Sequence, residues 1–413
     1  MGYQQGLSGL AGASNALDVI GNNIANANTV GFKSSTAQFS DMYANSIATS
    51  VNTQIGIGTA LASVQQQFGQ GTINTTNSSL DVAINGNGFF QMSNNGTITY
   101  TRDGTFQRDK NGYIVNSQGL NLMGYAADKN GVINTAQTVP LQAPTTNIAP
   151  TATTKITGQF NLNSQDTVPT KTPFDANDTT TYNYSTSIQV YDSLGGSQAV
   201  NIYFVKSAAG TWEAYAGVQG GATKDLGTIQ FDSSGAISGT TTGSPATPTA
   251  ALGQFQFTVP NTDGSATPQT LTLDLTGTTQ YGGKDGVNNL AQDGYASGTL
   301  TTFTIGTDGK LTGNYSNGQT AVLGQIALAN FNNPNGLVNI GGNQYAETAA
   351  SGVPQISVPG STNHGTLQGS ALENSNVDLT SQLVNLITAQ RNYQANAQTI
   401  KTQQTVDQTL INL

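Results

Sequence analysis

Residues 379–413 read LTSQLVNLITAQRNYQANAQTIKTQQTVDQTLINL. Leu379, Leu383, Leu386, Tyr393, Ala397 and Ile400 recur at helical spacing, and Val406, Leu410 and Leu413 continue the stripe with an offset. Asp378 stands where an N-cap belongs. At ~1.5 Å per residue the helix would run about 50 Å. Its charges are Arg391, Lys401 and Asp407 alone. A surface helix normally sets charged side chains opposite its apolar stripe; this one sets Asn, Gln, Ser and Thr there. Residues 1–32 have the same character. Tyr3, Leu7, Leu10, Leu17, Ile20 and Ile24 fall on steps of three and four, most of them on one stripe, and Asp18 is the single charge. Gly9, Gly12 and Gly21 each weaken an isolated helix by about 1 kcal/mol, so this helix needs partners to persist. Mutual cover of the two helices within one monomer is expected. It leaves the rest of both surfaces uncharged, a feature suited to packing against copies of the same chain. The residues expected to make that packing are Leu7, Leu10, Leu17, Ile20, Ile24, Leu379, Leu383, Leu386, Tyr393 and Ile400.

Composition narrows the function classes. Charged residues are 8% of 413, against about 25% in ordinary soluble proteins. The net charge of −9 disfavours nucleic acid or an anionic membrane as partner. Disorder goes with low hydrophobicity and high charge; with so little charge, the chain is expected to fold. No apolar run approaches the ~18 residues of a membrane span, and residues 1–10 lack the basic and apolar regions of a cleavable secretory signal. With no Cys and one His, His364, thiolate sites, His clusters and most nucleophile–base constellations are unavailable.

Between the ends the pattern turns to short strands. Residues 97–101 (TITYT), 112–115 (GYIV), 187–191 (SIQVY), 199–205 (AVNIYFV) and 254–259 (QFQFTV) read as strands, and 239–253 as a surface loop. Turns start at Asp109 and Asp128 and end on Gly112 and Gly131; they lack the ligand spacing of a calcium loop. Asp192, Asp225, Asp232, Asp274, Asp285 and Asp293 are the candidate carboxylates for glycoside hydrolysis, but most stand in turn contexts. Trp212, Tyr203, Phe204 and Tyr215 read as strand core more readily than as a sugar platform. No catalytic residue, metal site or cofactor is expected. The fold class is mixed, mainly β with α-helical termini. The terminal helices pair as a coiled-coil-like stem, and two nested β domains, inner and outer, are inserted between them.

Specific strings then resemble a known family. Residues 21–33 (GNNIANANTVGFK) resemble the N-terminal signature of the flagellar rod and hook family, with Asn22, Asn23, Asn26, Gly31 and Phe32 as motif positions. Residues 80–90 (LDVAINGNGFF) and 100–125 look like that family's first β domain. Residues 369–410 resemble its C-terminal helix, with Asn376, Val377, Gln390 and Arg391 as motif positions. Within the family, residues 314–319 (NYSNGQ) and 325–337 (QIALANFNNPNGL) look like the hook branch. The match is weakest at 145–185 and 236–290.

The resemblance implies a helical homopolymer, the curved tube joining rod to filament, exported by the flagellar type III apparatus without a cleaved signal. Its partners would be itself, the distal rod, the hook cap and the hook–filament junction proteins. The division implied is 1–30 with 378–413 as inner tube, 31–71 with 359–377 as connecting segment, 72–145 with 291–358 as inner β domain, and 146–290 as outer β domain. Alternatives are a distal rod subunit and a secreted, soluble β-rich binding protein; a carbohydrate-active enzyme is weaker.

Overall fold

The computed structural model describes residues 2–42, 56–128, 130–144, 146–242, 247–248 and 251–411. Helix α1 spans Gly2–Ala25 and α2 spans Leu379–Ile411; most of what lies between is strand and turn. Asp378 does cap α2: its Oδ1 accepts the N–H of Thr380 at 2.9 Å and of Ser381 at 3.2 Å. Thr388, Thr402, Thr405 and Thr409 turn their hydroxyls onto the carbonyl four residues back, which lets a charge-poor helix satisfy its polar side chains internally. Leu413 lies outside the described residues.

The chain forms two compact units, residues 1–145 with 301–314 and 320–413, and residues 146–300 with 315–319. In the first, α1 and α2 pack antiparallel. A Cβ placed on Gly9 would lie 2.7 Å from Asn396 Oδ1, and one on Gly6 would lie 2.9 Å from Ile400 Cγ1. Helices approach this closely only where one side chain is missing. On its other side α1 meets a long antiparallel hairpin, β1 (Ser35–Met42) and β2 (Gly58–Gln66), with Phe39 and Thr59 against Gly12. The sequence assigns residues 31–71 to a connecting segment without elements; the structure builds this strand pair within it. The two β1–β2 strands leave Phe39, Met42, Leu61 and Val64 exposed, so there is no in–out alternation to find.

The β part of the first unit is built on the strands Phe89–Asn94 and Thr97–Thr101, joined by an Asn95-Gly96 turn with both residues at positive φ. That is the turn whose twist matches paired strands. Leu80, Val82, Ile84, Phe90, Met92, Ile114, Leu122, Leu311, Ile326 and Leu367 form one core. Phe89, Tyr100, Phe331 and Tyr345 form a second, with Phe68 against it, packed edge to face. Asp109 Oδ1 accepts the N–H of Asn111 and Tyr113, and Asp128 Oδ1 that of Asn130 and Val132, so both are turn residues; Lys129 lies outside the described residues.

The second unit is a two-sheet sandwich. One sheet runs in the antiparallel order Tyr184–Tyr191, Ser197–Ala208, Thr211–Val218, Thr223–Phe231, Ile237–Thr242, Thr247–Pro248. In the other, Lys155–Asn161 lies parallel to Gln269–Asp274 and antiparallel to Gly286–Gln292, and Gln254–Val259 forms the far edge. Trp212, Phe204, Phe160, Phe255, Phe257, Leu271 and Leu273 share the core between the sheets. Tyr203 and Tyr215 point to the opposite face, where Phe174 stacks on Tyr215 at 4.2 Å between centroids. The loop expected at 239–253 is entered by Ile237–Thr242; residues 243–246 and 249–250 within it lie outside the described residues.

Candidate assembly site: the helical stem and its junction

Where the stem meets the β part of the first unit, one carboxylate gathers the chain. Glu373 Oε1 accepts Lys33 Nζ at 2.7 Å and Gly71 N–H at 2.8 Å, and Oε2 accepts Arg102 Nη1 at 3.2 Å. Lys33 Nζ also donates to Gly69 O at 2.9 Å, and Arg102 Nη2 to Gly86 O at 2.6 Å. The side chains of Lys33 and Glu373 are 0% exposed. Two basic side chains face one carboxylate, and all three are buried. Burial pushes the Lys33 ammonium below its ordinary pKa, Arg102 adds to that, and Glu373 opposes both. Arg102 Nε is buried without a hydrogen-bond partner among the described residues, while the guanidinium stands 5.6 Å from the Phe89 ring centroid.

The motif residues build the rest of the junction. Asn23 holds the start of β1 with both amide atoms, accepting Ser35 N–H and donating to Ser35 O, each at 2.8 Å. It also reaches Gln382 of α2 at 3.4 Å. Asn376 mirrors it from the other arm, accepting Ser34 N–H at 2.8 Å and donating to Gln67 O at 2.7 Å and Gly69 O at 3.1 Å. Asn26 binds Asn22 O and Thr29 Oγ1 in the turn that ends α1. Gly31 donates to Glu373 O at 2.8 Å, and Phe32 is buried. Val377 N–H bonds Ser375 Oγ. Asn22, Gln390 and Arg391 do not join this network through their side chains; they lie exposed. Lys33, Arg102 and Glu373 were not singled out in the sequence. The available signal was only that charges are scarce throughout the chain.

Gly31 has φ +69°, and a Cβ there would lie 2.6 Å from Asp103 N and 2.7 Å from the Arg102 carbonyl carbon. Backbone cannot give way as a side-chain tip can. Gly31→Ala is expected to lower the stability of the first unit by about 1–3 kcal/mol, read as a shift of its denaturant midpoint.

The stem itself departs from mutual cover by apolar stripes. The seam between α1 and α2 is made mostly of small and polar residues, Gly6, Gly9 and Asn23 on one side and Gln382, Ala389 and Asn396 on the other, with Ile400 against Gly6. Leu386 and Ile400 are half-buried on α2, as are Leu10, Leu17, Ile20 and Ile24 on α1. Leu7, Leu379, Leu383 and Tyr393 are exposed, together with Val384, Ile387, Val406, Leu410 and Ile411. Since Gly6 of α1 already meets Ile400, the last turns of α2 extend past the start of α1, and Ile411 is 83% exposed. A groove of about 420 Å³ runs beside the seam, lined by Gly12, Ala16, Phe39, Ala389 and Ala395 among others. The pair therefore presents a charge-poor outer surface carrying exposed apolar side chains, with a hollow beside it.

The carboxylates named as hydrolytic candidates serve local structure. Asp192 and Asp232 accept backbone N–H groups in their own turns, and Asp225 accepts Gly227 N–H within the strand Thr223–Phe231. Asp274 pairs with Lys155 at 2.8 Å, Asp285 accepts Asn163 N–H, and Asp293 accepts Thr154 and Lys155 N–H.

Comparison with known proteins places this arrangement. Four family descriptions match successive parts of the chain: flagella basal body rod protein at 4–33, flagellar hook protein FlgE/F/G D1 domain at 83–190, flagellar basal body protein FlaE D2 domain at 161–295, and flagellar basal body rod FlgEFG protein C-terminal at 368–413. The flagellar hook protein FlgE of Salmonella typhimurium is 42% identical over 424 residues, covering 100% of both chains. That of Escherichia coli is 42% identical over 422 residues, and that of Treponema pallidum 33% identical, covering 99% of this chain and 98% of its own. Among solved structures, the crystal structure of Helicobacter pylori flagellar hook protein FlgE2 aligns with a TM-score of 0.48 at 16% identity, over 73% of this chain and 100% of that one.

Proposed function

The chain belongs to the flagellar hook protein family, and from that premise we propose that it self-assembles into the flagellar hook through the outward face of α1 and α2. The observation that carries this reading is the exposure of Leu379, Leu383, Val384 and Ile387 on a helix whose monomer partner is met by Ala389 and Asn396 instead. Contiguous apolar surface of this kind marks an interaction site. A contact that is not self-complementary, repeated with a rotation that does not close, generates a helical tube. The near absence of charge has a reason in that setting. A homopolymer repeats every side chain at every lattice point, so one charge in a partly dry contact becomes a line of like charges. Asn and Gln keep hydrogen-bonding capacity without that penalty.

The role is structural, with no reaction assigned to it. The relatives matched end to end carry the hook name, which favours the hook over the distal rod. We assign the distal rod, the hook cap, the junction proteins and the type III export apparatus as partners, and a place outside the cell reached without a cleaved signal. Residues 1–30 with 378–413 form the tube. The second unit, polar and charge-poor, makes weak neighbour contacts that exchange as the tube turns. Deleting residues 146–300 is expected to leave tubes that assemble but are straight or brittle under negative stain; normal curvature would refute the exchange idea.

The reading itself is tested by immuno-electron microscopy of isolated envelope appendages with antibody against the second unit. Label on the curved segment between envelope and filament is expected. Label confined to a straight segment inside the envelope would transfer the chain to the rod, and label on neither would end the reading.

A further inference from the structure

An Asn followed by Gly can lose its side-chain amide, because a residue without a Cβ leaves its backbone nitrogen open to the Asn side chain. The chain holds seven such pairs. In six of them the glycine N–H is already given to an acceptor: Gly86 to Gln70 Oε1 at 2.9 Å, Gly96 to Ser93 Oγ at 3.3 Å, Gly112 to Asp109 O, Gly131 to Asp128 O, Gly318 to Tyr315 O and Gly336 to Asn333 O. A nitrogen engaged in this way must surrender its bond before it can attack.

The seventh pair is Asn87-Gly88, between the strands Val82–Asn85 and Phe89–Asn94 of the first unit. Gly88 is buried, yet its N–H meets no acceptor among the described residues. Buried backbone N–H groups without a partner are rare. Asn87 is exposed, and its side-chain amide is likewise unpaired among the described residues. Of the seven Asn residues it is the one with glycine on both sides, and Gly86 and Gly88 stand at φ +110° and +119°. The Asn87 carbonyl, by contrast, is engaged: Gly365 N–H donates to it at 2.7 Å. That bond draws electron density out of the Asn87–Gly88 peptide and makes the Gly88 N–H a better acid. Asn85 supplies the contrast within the same loop. Gln70 accepts Gly86 N–H and donates to Asn85 Oδ1 at 3.3 Å, so it holds both groups that would have to react.

We propose that Asn87 is a site of spontaneous deamidation, in which the Gly88 nitrogen closes on Asn87 Cγ and expels ammonia. The N–Cγ bond forms as the Cγ–Nδ2 bond breaks, and the proton of Gly88 N–H leaves with the ammonia. The product is a cyclic imide, which water then opens without any change of oxidation state. Attack at Cγ restores the main chain and leaves an aspartate. Attack at the former Asn87 carbonyl carbon, whose oxygen the Gly365 N–H polarises, routes the main chain through the side chain and leaves isoaspartate, which is therefore the main product. Either product sets a carboxylate beside Gly86, whose carbonyl Arg102 Nη2 holds at 2.6 Å. Isoaspartate also lengthens the loop that feeds the buried strand Phe89–Asn94. The first unit thus carries a chemical record of its age. The inference stands apart from the assembly reading.

The test holds the purified full chain at physiological temperature in mildly alkaline buffer. Chymotryptic digestion and fragmentation mass spectrometry then read the conversion, and the isoaspartate share, at all seven pairs. Asn87 is expected to convert about two- to tenfold faster than the others, the rate equivalent of one hydrogen bond that need not be broken, and mostly to isoaspartate. The lead should shrink in denaturant, where every glycine N–H is equally free. Gln70→Ala, a change at an exposed residue, should raise the rate at Asn85 toward that at Asn87. A rate at Asn87 no higher than at Asn95 or Asn111 in the folded chain, an undiminished lead in denaturant, or a rate at Asn85 unmoved by Gln70→Ala would each overturn the proposal.

Discussion

Glu373→Ala is expected to cost the first unit about 3–5 kcal/mol, because it strips from Lys33 and Arg102 the carboxylate that pairs with both in a buried site. Lys33 and Arg102 remain where burial already disfavours their charge, and Gly71 N–H loses its acceptor. Glu373→Gln should fall short of this loss, since an amide oxygen can still accept one of the three donors but brings no charge. The two units make the measurement selective. Trp212 lies in the core of the second unit, so its fluorescence should report an unchanged transition. Far-ultraviolet circular dichroism should show a transition shifted to lower denaturant. Coincident, native-like transitions by both probes would mean that the junction is wetter than its geometry indicates.

The second large effect concerns the polymer and not the monomer. Leu383→Asp and Ile387→Asp lie on the open face of α2, at 45% and 50% exposure. Exposed substitutions away from special sites usually change monomer stability by no more than about 0.5 kcal/mol, so the folded subunit should survive. Assembly should not. Each lattice contact loses an apolar side chain worth roughly 1.5–3 kcal/mol when fully buried and gains a desolvated carboxylate at every repeat. Sedimentation should show soluble subunits at concentrations where the native chain pellets as tubes. Native-like tubes from either variant would remove α2 from the interface. Ala389→Asp is the contrast: it places the charge in the seam with α1 and should destabilise the monomer as well.

The helical ends could be read from period, charge and the Asp378 cap, and the strands around residues 97–101, 199–205 and 254–259 from alternation. The orientation of the stem could not. Its seam is made largely by Gly6, Gly9, Ala389 and Asn396, small and polar positions that a hydrophobic pattern does not register. The β1–β2 pairing carries no local signal because it meets α1 through Phe39 and Thr59 while Met42, Leu61 and Val64 stay exposed, so no core face patterns its sequence. Parallel pairing of Lys155–Asn161 with Gln269–Asp274 joins segments far apart in the chain, beyond the reach of any turn signal. The cut drawn at residue 290 falls inside the strand Gly286–Gln292 for the same reason. Of the junction, Asn23, Asn26, Gly31, Phe32 and Asn376 were recovered through the family strings. Lys33, Arg102 and Glu373 were not, since a buried ion group assembled from positions 33, 102 and 373 has no local signature.

The junction also decides how a mechanical load passes through the subunit. The chain leaves α1 through residues 31–34 and returns to α2 through residues 373–376, and these two arms are tied by Gly31 N–H to Glu373 O, Ser34 N–H to Asn376 Oδ1, and Lys33 to Glu373. A force on the stem pulls both arms the same way. The ties between them are therefore not peeled apart one after another; they carry the load side by side, and the pair behaves as a single strut. Failure would require the short bonds to give together at the point where helix becomes sheet.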